Sequence, residues 1–122
     1  MIKGTGIDII ELARIQRLLS NQPKLIDRVL TEKEQELFYS FSSDKRKIEF
    51  LSGRFAAKEA FSKAWGTGIG KLSFLDIEIL LNKKKAPVLT SSVLEGEKCF
   101  VSISHSKQYA VAHVIIESES AY

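Results

Sequence analysis

The chain has 122 residues, and 18 Lys and Arg against 15 Asp and Glu leave a formal charge of +3. A chain of this length is expected to form one domain, residues 1–122; 44% hydrophobic residues with so small a net charge exclude intrinsic disorder. The single cysteine, Cys99, excludes a disulfide framework and a cysteine-based zinc site. No apolar run approaches the roughly 20 residues of a membrane span, and Met-Ile-Lys-Gly-Thr-Gly has no secretory pattern, so a cytoplasmic protein is expected.

The β-branched Ile7, Ile9 and Ile10 predict a first strand from Ile2 to Ile10. Asp8 lies within it, either as a capping or hydrogen-bonded carboxylate near the strand end or as a ligand. Leu12, Ile15, Leu18 and Leu19 recur at helical spacing from Glu11 to Leu19, and a short helix is expected over Lys24–Leu30 after Pro23. Thr31-Glu-Lys-Glu34 is a capping box that opens a helix to about Phe41. A long helix is predicted from Asp44 to Trp65, with apolar residues on more than one stripe and so buried on more than one side. Gly66-Thr-Gly-Ile-Gly70 reads as a loop. Gly4-Thr-Gly-Ile7 repeats four of those residues with different flanks, which reads as two glycine turns. Strands are expected over Leu72–Leu81, near Pro87–Leu89, over Lys98–Ser104 and over Tyr109–Glu117. Helices first and strands later predict an α+β fold, an antiparallel sheet packed on a long central helix.

Several residues carry chemistry. Glu59 and Lys63 sit at i,i+4 with Ser62 on the same side; this is a surface ion pair or a carboxylate for a metal beside an ammonium for a phosphate. Arg54 and Lys58 lie among Gly53, Phe55, Ala56 and Ala57, a setting that fits a phosphate-facing surface better than a solvated one. The 66–70 glycines follow a helix rather than a strand, so neither a dinucleotide nor a P-loop site is credible there. Cys99 alternates with Val101 and Ile103 and reads as a packed, inert thiol, and His113 in mid-strand reads as structural.

Three blocks go further. Gly6-Ile-Asp8-Ile-Ile-Glu11-Leu-Ala-Arg14-Ile15, Phe50-Leu-Ser-Gly-Arg54-Phe-Ala-Ala-Lys58-Glu59-Ala-Phe-Ser62-Lys63-Ala-Trp-Gly66-Thr-Gly68-Ile-Gly70 and Val101-Ser-Ile-Ser104-His105 stand in order along the chain. They resemble the motifs of the holo-acyl-carrier-protein synthases, small bacterial 4′-phosphopantetheinyl transferases. The resemblance spans essentially the whole chain, and the central block is its specific part.

It implies the 4′-phosphopantetheinyl transferase fold and a magnesium-dependent transfer in fatty acid biosynthesis: coenzyme A and apo acyl carrier protein give holo carrier protein and adenosine 3′,5′-bisphosphate. By the same resemblance Asp8 and Glu59 bind Mg²⁺ and Lys63 assists the leaving phosphate. Arg46, Arg54, Lys58, Ser62, Ser104 and His105 hold coenzyme A, with Gly66, Gly68, Gly70, Phe74 and Pro87 around it. Carrier protein docks on the region after Asp8, where Arg14, Arg17, Leu18, Lys24 and Arg28 stand, and three copies assemble with active sites between subunits. Before the hairpin proline, many relatives have Gly-Lys-Pro, whereas this chain has Lys85-Ala86-Pro87.

A nucleic-acid module would instead continue its basic residues along one face between exposed aromatics. Here Lys45-Arg46-Lys47 is followed by Glu49 and the remaining cations stand near Glu59, so no nucleic-acid partner is expected. A coenzyme A-binding protein without catalysis would not require Asp8, Glu59 and Lys63 together.

Overall fold

The computed structural model describes residues 1–119. Its elements are β1 (Ile2–Glu11), α1 (Leu12–Asn21), α2 (Leu25–Val29), α3 (Glu32–Ser40), α4 (Asp44–Trp65), a 3-10 turn (Phe74–Asp76), β2 (Ile77–Leu81), β3 (Pro87–Ser91), β4 (Lys98–His105) and β5 (Tyr109–Glu117). The α+β expectation holds: β1, β5 and β4 form an antiparallel sheet in that order, and β2 pairs with β3 in a separate hairpin.

Local chemistry places the helices. The Thr31 hydroxyl accepts from the Glu34 amide, and the Glu34 carboxylate accepts from the Thr31 amide at 2.8 Å, which completes the capping box of α3. Ser43 caps α4 through the Arg46 amide, and Gly66, at φ 97°, ends it in the left-handed conformation that favours glycine. α4 lies against β1, β5 and β4, with α1, α2 and α3 on its remaining surface. Leu51, Ala56, Ala57, Ala60 and Phe61 are therefore buried around much of its circumference, together with Ile15, Ile77, Ile79, Val114 and Ile116.

Two expectations are corrected. Strand geometry begins at Ile77 rather than at Leu72, because the Ser73 hydroxyl accepts from the Leu75 amide, the Asp76 carboxylate accepts from the Ser73 amide, and together they wind residues 74–76 into a 3-10 turn. Gly4 and Gly6 form no turn; they lie inside β1 on the face that meets α4. A Cβ at Gly4 would run into the Ala64 carbonyl and one at Gly6 into the Ala60 carbonyl, so the two glycines let the strand rest directly on the helix backbone. The opposite face of β1 presents Ile7 and Ile9, 61% and 64% exposed. Across the sheet Ile7 pairs with His113 and then Ser102, and Ile9 pairs with Val111 and then Ser104. His113 is thus exposed on this outward face.

Candidate active site

The alternation that puts Gly4 and Gly6 on α4 puts Asp8 there too. Lys63, near the end of α4, donates to the Ile7 carbonyl at 3.0 Å and to Asp8 Oδ1 at 3.1 Å. The sequence offered Glu59 as the partner of Lys63; the structure pairs Lys63 with Asp8 across two elements instead. Glu59 stands one turn earlier on α4. Burial raises its proton affinity, the negative charge of Asp8 raises it further, and Lys63 and Arg14 oppose both. Two carboxylates are thus held close enough to repel, in a partly dehydrated site beside one ammonium. Among the described residues no cluster of three or more His, Cys, Asp or Glu forms. Two hard oxygen donors of this kind fit Mg²⁺, which keeps most of its positions for water and phosphate oxygens.

A second site lies elsewhere on the chain. A cavity of about 390 Å³ is lined by Arg46, Glu49, Phe50, Gly53 and Arg54 of α4, by Leu37 and Phe41, by Leu81, Lys85 and Pro87 of the hairpin, and by Ile103 and His105 of β4. Arg54 Nε donates to the Ile79 carbonyl at 3.1 Å, and its guanidinium lies 4.3 Å from the Phe50 ring centre. Burial works against its charge and Glu34 partly compensates, but a guanidinium stays protonated in any protein setting. Arg46 lies 5.0 Å from the Phe41 ring centre and donates to Glu49 at 3.2 Å, while His105 Nδ1 stands 3.5 Å from the other Glu49 oxygen. Glu49 is buried and faces both Arg46 and His105, a role no sequence motif marked.

Two of the expected ligand contacts are corrected. Lys58 is fully enclosed, at 0% exposure. Its ammonium donates to Glu34 Oε1 and to the Val29 carbonyl, both at 2.6 Å, and Glu34 Oε2 accepts from the Ile79 amide at 2.8 Å. Lys58 therefore ties α4 to the start of α3 and to β2 and lines no surface. Ser62 is also buried, and its hydroxyl donates to the Glu59 carbonyl of its own helix at 2.7 Å.

The pattern of residues 4–114 matches the family model described as the 4′-phosphopantetheinyl transferase superfamily. The holo-[acyl-carrier-protein] synthase of Enterococcus faecalis is 55% identical over 98% of this chain and 100% of its own length. That of Bacillus velezensis is 58% identical over 96% and 97%. The chain belongs to the holo-[acyl-carrier-protein] synthases of this superfamily. The crystal structure of the Bacillus anthracis synthase in complex with coenzyme A (3′,5′-ADP) superposes with a TM-score of 0.89, at 50% identity, covering 98% of this chain and 99% of that one. The synthase of Helicobacter pylori, also with coenzyme A, gives 0.80 at 38% identity over 93% and 99%.

The other expected positions lie on the loop after α4, on the 3-10 turn, on β4 and along α1 and α2, and none of them lines the cavity. Gly66, Gly68 and Gly70 all have positive φ in the loop that ends α4, and the Gly66 and Gly68 amides return to the Ser62 carbonyl. Phe74 packs on Phe55 at 5.1 Å, one helical turn before Glu59. Ser104 is exposed near the end of β4 on the outward sheet face, beside Val111, and does not line the cavity that its neighbours Ile103 and His105 line. Arg14, Arg17, Lys24 and Arg28 are exposed on α1 and around α2, and Leu18 is half-buried. The Cys99 thiol is pushed up to about 11 by burial, as an inert packed thiol requires. No helix among the described residues is long and apolar enough to cross a membrane.

Proposed function

We propose that this transferase moves the 4′-phosphopantetheine arm of coenzyme A to a serine of apo acyl carrier protein in the cytoplasm, for fatty acid biosynthesis. The serine oxygen attacks the β-phosphorus, the bridging P–O bond breaks, adenosine 3′,5′-bisphosphate leaves, and the hydroxyl proton is released. Such a transfer asks the protein for alignment and charge neutralisation rather than covalent help. Mg²⁺ held by Asp8 and Glu59 supplies part of that neutralisation when bound. Lys63, anchored on β1 beside Asp8 and half-exposed, meets the charge that grows on the leaving phosphate. Arg46, Arg54 and His105 take the nucleotide end, with Pro87 against it, and the 66–70 loop with Phe74 flanks the arm. Arg14, Arg17, Leu18, Lys24 and Arg28 form the face for the acidic carrier.

One observation carries the arrangement. The cation-lined cavity and the carboxylate pair do not share a face of the chain. Glu59 follows Arg54 by five residues, about 140° around α4, and follows Arg46 by thirteen, roughly 20 Å along its axis. A ligand bridging both sites is served by two chains, each giving one half. The exposed Ile7, Ile9 and Phe100 on the outward face of the β1-β5-β4 sheet are the apolar surface such an assembly would cover. A homotrimer closes it by rotation.

Complementation tests this reading. Arg46→Glu and Glu59→Gln are each expected to be nearly inactive alone. Co-assembled at random, about one interface in four carries both intact halves, so about a quarter of parental activity returns. Mixtures that stay as inactive as the single variants would place each site within one chain.

A further inference from the structure

The hairpin that closes one wall of the cation-lined cavity contains a strained cation. Lys85 has φ 62°, the left-handed region, and it is the only non-glycine residue with positive φ among the described residues. For a side chain with a Cβ this conformation is unfavourable, and glycine adopts it freely. The turn is held firmly in that shape. Asn82 Oδ1 accepts from the Lys84 amide at 2.8 Å and from the Ala86 amide at 3.0 Å, and the Lys85 amide donates to the Asn82 carbonyl at 2.9 Å. Lys85 lines the cavity with Arg46, Arg54 and His105, whereas Lys83, Lys84 and Ala86 do not. Among the described residues its ammonium has no hydrogen-bond or ion-pair partner. Arg46 and His105, by contrast, are both engaged by Glu49, and Arg54 spends its Nε on Ile79. A lysine thus lines the cavity that two arginines line, in a backbone geometry that opposes it, and its ammonium has no partner among the described residues.

We propose that Lys85 is a nucleotide-binding residue of this transferase: its ammonium is the uncommitted cation of the cavity and takes a phosphate of the adenosine 3′,5′-bisphosphate end of coenzyme A. The inference rests on the reading of this cavity as the nucleotide site. It also explains Lys85-Ala86-Pro87: the cation absent at 86 stands at 85, on a position whose backbone suits glycine.

Calorimetric binding of adenosine 3′,5′-bisphosphate to the full chain, with thermal melts of each variant, tests it. Lys85→Gly is expected to weaken binding about tenfold, as loss of one charge-assisted phosphate contact does. Its melting temperature is expected to equal or exceed the parent's, because the turn is relieved of strain. Lys85→Arg restores binding, and Lys84→Gly leaves it unchanged. A merely structural lysine would move the melt and spare the affinity. Unchanged affinity in Lys85→Gly overturns the proposal, as does a loss of affinity that tracks a fall in melting temperature. Failure of the parent itself to bind, with Arg54→Ala no different, overturns the cavity reading and the proposal with it.

Discussion

Replacing Lys58 by methionine separates a buried structural cation from a ligand-binding one. In the parent, Glu34 shares its carboxylate among the Thr31 amide, the Ile79 amide and the Lys58 ammonium, all between 2.6 and 2.8 Å. Both side chains of the pair are at 0% exposure. Lys58→Met leaves that carboxylate with two neutral donors, no bonded counter-charge and only the field of Arg54 opposite it, and it strips the Val29 carbonyl of its donor. Stranding one half of a buried pair costs about 3–5 kcal/mol. A domain of this size has about 5–15 kcal/mol in all, so the variant loses a large part of its stability, and its melting temperature drops by roughly 10–20 °C. Urea unfolding at fixed protein concentration and neutral pH measures the loss. Coenzyme A kinetics are read at a temperature where the variant is still folded, and there the KM is expected to match the parent's. Arg46→Ala should behave in the opposite way. Arg46 is exposed and its bond to Glu49 is a partly screened i,i+3 pair, so stability changes by less than about 1 kcal/mol while the coenzyme A KM rises. A Lys58→Met variant with parental stability and a raised KM would refute the assignment of Lys58 to the core.

Further outcomes follow from the same geometry. Glu59 has a raised folded-state pKa, so its ionisation opposes folding: its contribution is fully favourable below its ordinary value of 4.5 and is lost as pH rises from there through the higher folded-state value. Glu59→Gln is therefore expected to abolish transfer yet slightly raise stability at pH 7, with no gain near pH 4; a loss at pH 7 would sink the electrostatic argument. Mg²⁺ should raise the melting temperature of the parent but not of Asp8→Ala, and excess chelator should stop transfer; full activity in chelator refutes the metal assignment. Lys63→Ala should lower kcat more than it raises the coenzyme A KM, since its contact strengthens as charge develops, and the reverse pattern would reassign it. Arg17→Glu with Arg28→Glu should sharply raise the carrier-protein KM at low salt and remove most of its salt dependence, whereas an unchanged KM moves the docking face elsewhere. Arg14 suits this test less well, because it also bears on Glu59.

What was legible in the sequence was local. The Thr31–Glu34 box, the Gly66 stop and the 3.6-residue spacing of α1 are each set by residues within a turn or two, and each appears where its spacing places it. What escaped is set by partners far along the chain. Gly4 and Gly6 read as a turn because nothing nearby announces that Ala60 and Ala64 will press against them. Arg54 and Lys58, one helical turn apart, read alike as phosphate-facing cations. Yet Arg54 meets a cavity and Lys58 meets Glu34, and Glu34 had already been accounted for as a capping residue. The capping box hid the buried counter-ion because one carboxylate does both jobs.

The same ambiguity has a physical source in α4. A surface helix carries one apolar stripe, and the stripe tells which charged residues face out. α4 is covered by the sheet on one side and by α1, α2 and α3 around the rest, so its apolar residues surround it and its phase cannot be read from hydrophobicity. Being covered on most sides is also what makes it useful. Its open patches are few and lie apart: one near its start against β4 and the hairpin, where Arg46 and Arg54 stand, and one near its end against β1, where Glu59 and Lys63 stand. A rigid helix holds these patches at a fixed separation and angle, so two neighbouring copies can each present the half that the other lacks. A variant that bends α4 between Arg54 and Glu59 should for this reason lose transfer while each half still binds its own ligand, the nucleotide at one end and the metal at the other.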